Sequence, residues 1–277
     1  MLLAVSGAWG QYSTPARVTW TDNPETTALV QWDRPAPGRG TVRYGTTTNY
    51  THAAHDGGGT YRHEVRLIGL APGTRYYYEA SSTDGYAQEG AFRTMKAAGE
   101  PLHFVFHGDL QGALNESGAQ GVADRIVLED PEFIVSLGDM AEEAFSGSGF
   151  ETWEQFFRIC SNELARAAYM PTMGNHDAAP GSDFTRGLYH RLFALPEPSK
   201  GPAVYSWTAG TIRFIVLNTE IDGAEQVEWL SRELQSAVND TNIIWVIATC
   251  HRPPYSWGER AGDSALRDNH ELHARGA

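Results

Sequence analysis

Cysteine is scarce. The 277 residues hold two, Cys160 and Cys250, so no disulfide framework can carry the fold. Cys250 ends an apolar strand pattern and Cys160 lies in an amphipathic helical pattern, so both read as free, buried thiols. Positive charge is also in short supply. Lys and Arg number 21 against 34 Asp and Glu, a net charge of −13. That argues against wrapping nucleic acid, because a phosphate backbone needs a basic stripe. A small phosphorylated ligand stays compatible, since bound divalent cations invert the local field. No stretch is long and apolar enough to span a bilayer, so no membrane partner is expected. The apolar run Met1–Gly10 is short and lacks a basic leader. Its Ala8 and Gly10 pair fits the end of a secretory signal, so residues 1–11 read as a signal remnant and the protein as secreted or periplasmic. The other reading of that run is an apolar first strand. Repeats and low-complexity tracts are lacking too, and nothing in the sequence sets an oligomeric state.

Apolar residues, by contrast, are plentiful. They make up 41% of the chain, enough for a packed core in one large domain or two ordinary ones. From Tyr12 to Thr94 the pattern is all-β. Arg17–Trp20, Ala28–Trp32, Thr41–Tyr44, Tyr61–Leu67 and Tyr76–Ala80 cluster β-formers, with turn residues between them at Asp22–Pro24, Pro35–Gly38, Asp56–Gly59 and Asp84–Gly85. Residues 12–95 are expected to form a β-sandwich that resembles a fibronectin type III-like module. In Leu70–Tyr76 a Tyr hydroxyl is expected to tie back to upstream backbone. His52, His55 and His63 are dispersed among polar residues and read as solvated or structural. Residues 96–101 form a short polar linker.

Beyond the linker, strands alternate with helices. Helices are expected over Asn115–Glu129, with Val122, Ile126 and Val127 inward, and over Phe150–Ala167, with Trp153, Phe156, Phe157 and Leu164 on one face. A shorter helix is expected over Ser182–Leu192, and a strong one over Ala224–Val238. Val204–Trp207 and Ile212–Leu217 read as an antiparallel pair. Residues 102–277 thus read as one α/β domain.

Four buried-strand patterns in this part end in polar groups. Phe104–His107 runs into Gly108-Asp109-Leu110-Gln111. Phe133–Leu137 runs into Gly138-Asp139. Tyr169–Met173 runs into Gly174-Asn175-His176-Asp177. Ile243–Cys250 runs into His251. Open α/β sheets place their sites at carboxyl strand ends. Carboxylate, amide oxygen and imidazole together suit Mn²⁺, Zn²⁺ or Fe better than Ca²⁺ or thiolate-loving ions. Ligands from four strand ends can converge on two metals about 3.5–4 Å apart, the spacing used for in-line displacement at phosphorus. Asp139 is the natural bridge. A Gly-Asp pair alone is often just a turn; the ordered set is specific.

These ordered blocks resemble those of the calcineurin-like metallophosphoesterases. The preceding β-module, the Gln226–Leu230 helix and His251-Arg-Pro-Pro-Tyr255 are similar to the purple acid phosphatase branch. The resemblance implies an αββα domain around a dinuclear metal site. By it, Asp109 and Asp139 hold the first metal, with Asp139 bridging, Asn175 and His251 hold the second, and His176 sits over the leaving group. It implies an acid phosphatase-like hydrolysis of phosphate esters by a metal-bridging hydroxide, acting on a small phosphorylated substrate.

Three features depart from that pattern. Gln111 stands where purple enzymes carry Gly and their relatives a His ligand, so its amide oxygen is a candidate ligand. Glu142 stands where the colour-giving Tyr belongs, so no purple iron(III)-tyrosinate site is expected. Glu142 is instead expected to orient His176 and keep it protonated as the acid, the alternative being a solvated loop carboxylate. The late Gly-His-x-His block is not seen. His270 and His273 have the wrong spacing and read as helix surface, and the phosphoesterase domain reads as incomplete at its C-terminus, with weakened metal binding. The rival reading is a decayed domain in a binding or adhesion protein. A metal-dependent nuclease shares the ligand logic, but the acidic balance opposes it.

Overall fold

The structure, a computed structural model, describes residues 12–111, 116–141, 150–177, 188–196, 203–221, 224–253 and 255. The Met1–Gly10 run, Glu142, the Gly147–Gly149 segment, His270 and His273 fall outside these residues.

The first part of the chain is all strand: β1 (Arg17–Thr19), β2 (Thr27–Gly38), β3 (Gly40–Gly45), β4 (His52–His55), β5 (Thr60–Ile68), β6 (Arg75–Ser82) and β7 (Ala87–Arg93). Alternation of buried and exposed residues along β5 and β6 is the signature of a half-buried strand. β4 and β7 are additions to the expected strands. His-Ala-Ala-His and Ala-Gln-Glu-Gly carry weak β propensity and are held by pairing to β3 and β6. The Tyr corner forms, with the Ala71 N–H donating to the Tyr76 hydroxyl at 2.9 Å. His63 is structural: it is fully buried, hydrogen-bonded through Nδ1 to Asp56 and 4.9 Å from the Trp32 ring.

The second part alternates: β8 (Phe104–His107), α1 (Glu116–Glu129), β9 (Phe133–Ser136), α2 (Phe150–Leu164), β10 (Ala168–Pro171), α3 (Leu188–Leu192), β11 (Tyr205–Ala209), β12 (Ile212–Val216), α4 (Ala224–Asn239) and β13 (Trp245–Thr249). One sheet runs β5-β2-β1-β10-β9-β8, a second β4-β3-β6-β7, a third β11-β12-β13. Val18 of β1 bridges to Ala168 of β10 in parallel. The chain passes between its two parts at the linker, yet they share a sheet.

Two sheets face each other in the second part. Phe104 and Phe133 stack at 4.9 Å and Trp207 and Phe214 at 4.7 Å, with Phe133 edge-on to Phe214 at 5.3 Å. This aromatic layer lies between β8–β9 and β11–β12. On the outer face of the first sheet, α2 buries Trp153, Phe156, Phe157 and Leu164. On the outer face of the third, Trp229 and Leu230 of α4 pack with Ile215 and Leu217. Burying each such side chain contributes roughly 1.5–3 kcal/mol against the entropy of ordering it. α1 is rotated from its expected phase: Ala123 and Ile126 are buried, and Val122 is exposed.

β8 and β13 differ from expectation in a way that bears on the site. Both patterns read as buried strands, but each is an edge. Phe106 is 41% exposed and Trp245 66%. The central β9 and β10 are buried throughout.

Candidate metal centre

The site begins with glycines at the ends of parallel strands. Asp109 and Asp139 both adopt the left-handed region, at φ 53° and 52°. Among residues with a Cβ, Asp is one of the few that visit this region routinely, because its short side chain can hydrogen-bond locally. Backbone bonds hold the turns there: Asp109 N–H donates to the Gly138 carbonyl and Gln111 N–H to the Asp139 carbonyl, each at 3.0 Å. The loops nest because two residues lack a Cβ. A Cβ on Gly174 would lie 2.2 Å from Asp139 N, and one on Gly138, at φ 97°, would lie 2.8 Å from His251 Nδ1.

The result is a tight cluster. Asp109, Asp139 and His251 each offer a ligand atom within 4.8 Å of the others. His251 Nε2 lies 3.2 Å from Asp139 Oδ2 and 3.2 Å from Asn175 Oδ1. His176 Nε2 stands 3.9 Å from Asp139 Oδ2, and its backbone N–H donates to Asp139 Oδ1 at 2.9 Å. Gln111 Nε2 donates to Asp139 Oδ2 at 3.0 Å. The structure thus brings together Asp109, Gln111, Asp139, Asn175, His176 and His251.

Electrostatics follow from this crowding. Burial raises the Asp139 carboxyl, but the hydrogen bond from His251 and the His176 N–H hold it below its ordinary range. Burial lowers His251, yet its contact with Asp139 prevails and lifts it to about 8. The space between these oxygens favours a cation.

A metal fits this donor set on two further grounds. His251 Nδ1 donates its N–H to the Leu137 carbonyl at 2.9 Å, which fixes the ring and presents Nε2 as the ligand atom. Gln111 Oε1 is buried without a hydrogen-bond partner. Such an acceptor beside two carboxylates is a ready oxygen ligand.

One residue of this cluster received no role from the sequence. Asp177 is 1% exposed, and its carboxylate takes backbone N–H groups from the Asp139 turn. Burial pushes it up to about 7 against the pull of those N–H groups. The signal was in plain view, as the last letter of Gly-Asn-His-Asp.

Comparison with known proteins agrees with this geometry. The profile of the purple acid phosphatase N-terminal domain matches residues 5–94, and that of calcineurin-like phosphoesterases matches residues 102–276. Purple acid phosphatase 23 of Arabidopsis thaliana is 28% identical over 227 residues, covering 70% of this chain and 49% of its own. Human acid phosphatase type 7 is 29% identical over 255 residues, covering 86% of this chain and 56% of its own. The chain spans about half the length of these curated relatives. A solved purple acid phosphatase from yellow lupin seeds superposes with a TM-score of 0.71 at 20% identity, over 88% of this chain and 52% of that one; at this identity the likeness is one of fold. An all-strand domain followed by an α/β domain with a ligand cluster at its strand ends, matched in that order by both profiles, places the chain in the calcineurin-like phosphoesterase family, with an N-terminal domain of the purple acid phosphatase type.

Proposed function

We propose that this chain forms the metal-binding face of a phosphate-ester hydrolase acting on small phosphorylated substrates. One observation carries the reading: Asp109, Asp139 and His251, from three separate strand ends, meet within 4.8 Å. Divalent cations held there would lower the pKa of a water molecule and draw in phosphate oxygens. Asp109 and Asp139 supply the negative charge that holds the cations, with Asp139 central because both histidines and Gln111 converge on its carboxylate. Asn175 and Gln111 add neutral amide oxygens without further raising the charge. His176, its side chain about a quarter exposed, stands at the rim where a leaving group departs. There it gives its proton to the departing alkoxide. Glu142 is assigned to orient it. Phosphate monoesters are among the slowest reactions uncatalysed, with enhancements up to ~10²¹, so charge stabilisation must supply most of the barrier reduction.

The test is hydrolysis of p-nitrophenyl phosphate with added Mn²⁺, alongside Mn²⁺ binding by calorimetry. Asp139→Asn is expected to reduce turnover by at least about 10²-fold, the scale of losing one preorganised stabilising group. It is also expected to remove the binding heat. Hydrolysis that persists in the variant would sink the reading. Glu142 offers no phenolate, so an iron-loaded sample is expected to lack a tyrosinate absorption band.

A further inference from the structure

We propose that Asp177 is a positioning residue of the metal centre, a carboxylate that never meets the cations but fixes the turn from which Asp139 reaches them. The inference rests on the metal-centre reading above and goes one layer behind it. Asp177 Oδ2 accepts the N–H groups of Asp139 at 2.9 Å and Gly174 at 2.8 Å. Its Oδ1 accepts those of Met140 at 2.8 Å and Ala141 at 3.0 Å. Asp139, Met140 and Ala141 are all buried and belong to no helix or strand. Buried N–H groups outside regular structure need a side chain or ordered water as acceptor. Here one side chain serves the whole turn.

Only an ionised carboxylate suits the task. It is acceptor-only and offers about four lone-pair positions on two oxygens. Asn would turn an NH₂ toward two of the four N–H groups. Glu has the same oxygens on a longer stem, in a fully packed site.

The bonding is reciprocal. The Asp139 backbone donates to the Asp177 side chain, and the His176 backbone donates to the Asp139 side chain at 2.9 Å. Two aspartates 38 residues apart thus hold each other's loops. Asp139 sits at φ 52°, a conformation that persists only where its surroundings impose it. Release of the Asp177 bonds lets the turn relax toward negative φ and swings the Asp139 carboxylate away from Asp109 and His251.

The experiment uses the whole chain with Asp177→Asn, Asp139→Asn and the double variant. Mn²⁺ affinity is read by calorimetry, and amide hydrogen exchange is read over residues 133–141 without metal. Asp177→Asn is expected to weaken Mn²⁺ binding at least tenfold and to speed exchange of the Met140 and Ala141 amides at least tenfold. In the Asp139→Asn background it is expected to add little further loss of Mn²⁺ affinity, because the ligand it positions is already gone. A general weakening of the fold would instead lower affinity by the same factor in both backgrounds. Unchanged affinity, unchanged exchange or equal factors would overturn the proposal. If the unmodified chain binds no Mn²⁺, the metal-centre reading fails, and with it the positioning role, while accelerated exchange would still establish the bond pattern. Should Asp177→Asn not fold, the unmodified chain decides: its Met140 and Ala141 amides must be protected from exchange, and ready exchange overturns the proposal.

Discussion

The seam between the two parts of the molecule and the metal centre are both built from buried polar groups, but their donor and acceptor counts differ. At the seam the groups close on one another. Arg17, fully buried, reaches Asp33 Oδ2 at 3.0 Å, Thr14 Oγ1 at 2.7 Å and the Leu192 carbonyl. Gln31 donates to the Arg191 carbonyl and accepts from Ala194 N–H, both at 3.0 Å. Tyr78 donates to the Ala165 carbonyl. At the centre, acceptors outnumber donors: two carboxylates, the Asn175 amide oxygen and the unpartnered Gln111 Oε1 crowd around His251. A closed set fastens elements together. An acceptor-rich set is complete only with a cation. The contrast separates a polar cluster that serves stability from one that serves chemistry, and substitutions on each side can test it.

The largest effect is expected at the seam. Arg17→Ala removes the charge that Asp33 faces, strips the Leu192 carbonyl of its donor and empties the space over the Phe157 ring, where the guanidinium carbon now sits at 5.2 Å. Breaking a buried pair from one side costs about 3–5 kcal/mol. Arg17→Met restores the packing and is expected to recover part of that. Urea unfolding measures both. Mn²⁺ affinity of the folded fraction should be unchanged, and a matching drop there would erase the distinction between the two clusters.

How much of this could be read in advance divides along the same line. The strand-end motifs named the centre, because chemistry leaves rare residue types in a fixed order: Asp109, Asp139, Asn175-His176 and His251. The meeting of those loops is what the coordinates add. Asp177 closes one of these motifs yet draws no role from it, because its role is to accept backbone N–H groups, and no composition rule records an acceptor's target. The seam was not legible at all. Arg17 and Gln31 look like ordinary polar residues on alternating strands, and the Val18–Ala168 bridge joins segments 150 residues apart. Edge position was equally hidden. Phe104–His107 and Ile243–Cys250 are apolar enough for a central strand, but their neighbours are set by topology rather than by their own sequence.

An intermediate effect is expected at a third buried cluster, behind the first sheet. His107 Nε2 lies 3.8 Å from Glu163 Oε1, both side chains buried, and neither imidazole nitrogen has a hydrogen-bond partner. Burial lowers His107 from 6.5 to about 4 and raises Glu163 from 4.5 to about 7. The signs oppose. Between about pH 4 and 6.5 the unfolded chain holds a proton that His107 lacks when folded, so stability rises with pH. Between about 4.5 and 7 folded Glu163 holds a proton its unfolded form loses, so stability falls with pH. Over the shared window the two cancel. Glu163→Gln removes the second and exposes the first. The variant's stability is then expected to climb by up to roughly 3 kcal/mol from pH 4 to 6.5, at ~1.4 kcal/mol for each pH unit crossed. Above pH 7 it should exceed the unmodified chain, because no buried carboxylate remains to ionise. Urea midpoints across pH 4.5 to 8 test this, and a variant with a flat profile would refute the paired titration.

The smallest effect is expected from Tyr78→Phe, and it is the sharpest probe of what closure means at the seam. The Tyr78 ring is fully buried, and its hydroxyl donates to the Ala165 carbonyl at 3.2 Å. The Ala91 N–H donates to that same oxygen at 2.9 Å. Phe keeps the ring and removes only the redundant donor, so no acceptor is orphaned. The cost should be a single net hydrogen bond, about 0.5–1.5 kcal/mol and toward the low end of that range. A loss above about 2 kcal/mol, the scale of an unsatisfied buried group, would mean the carbonyl depends on the hydroxyl and that the seam lacks the redundancy separating it from the metal centre.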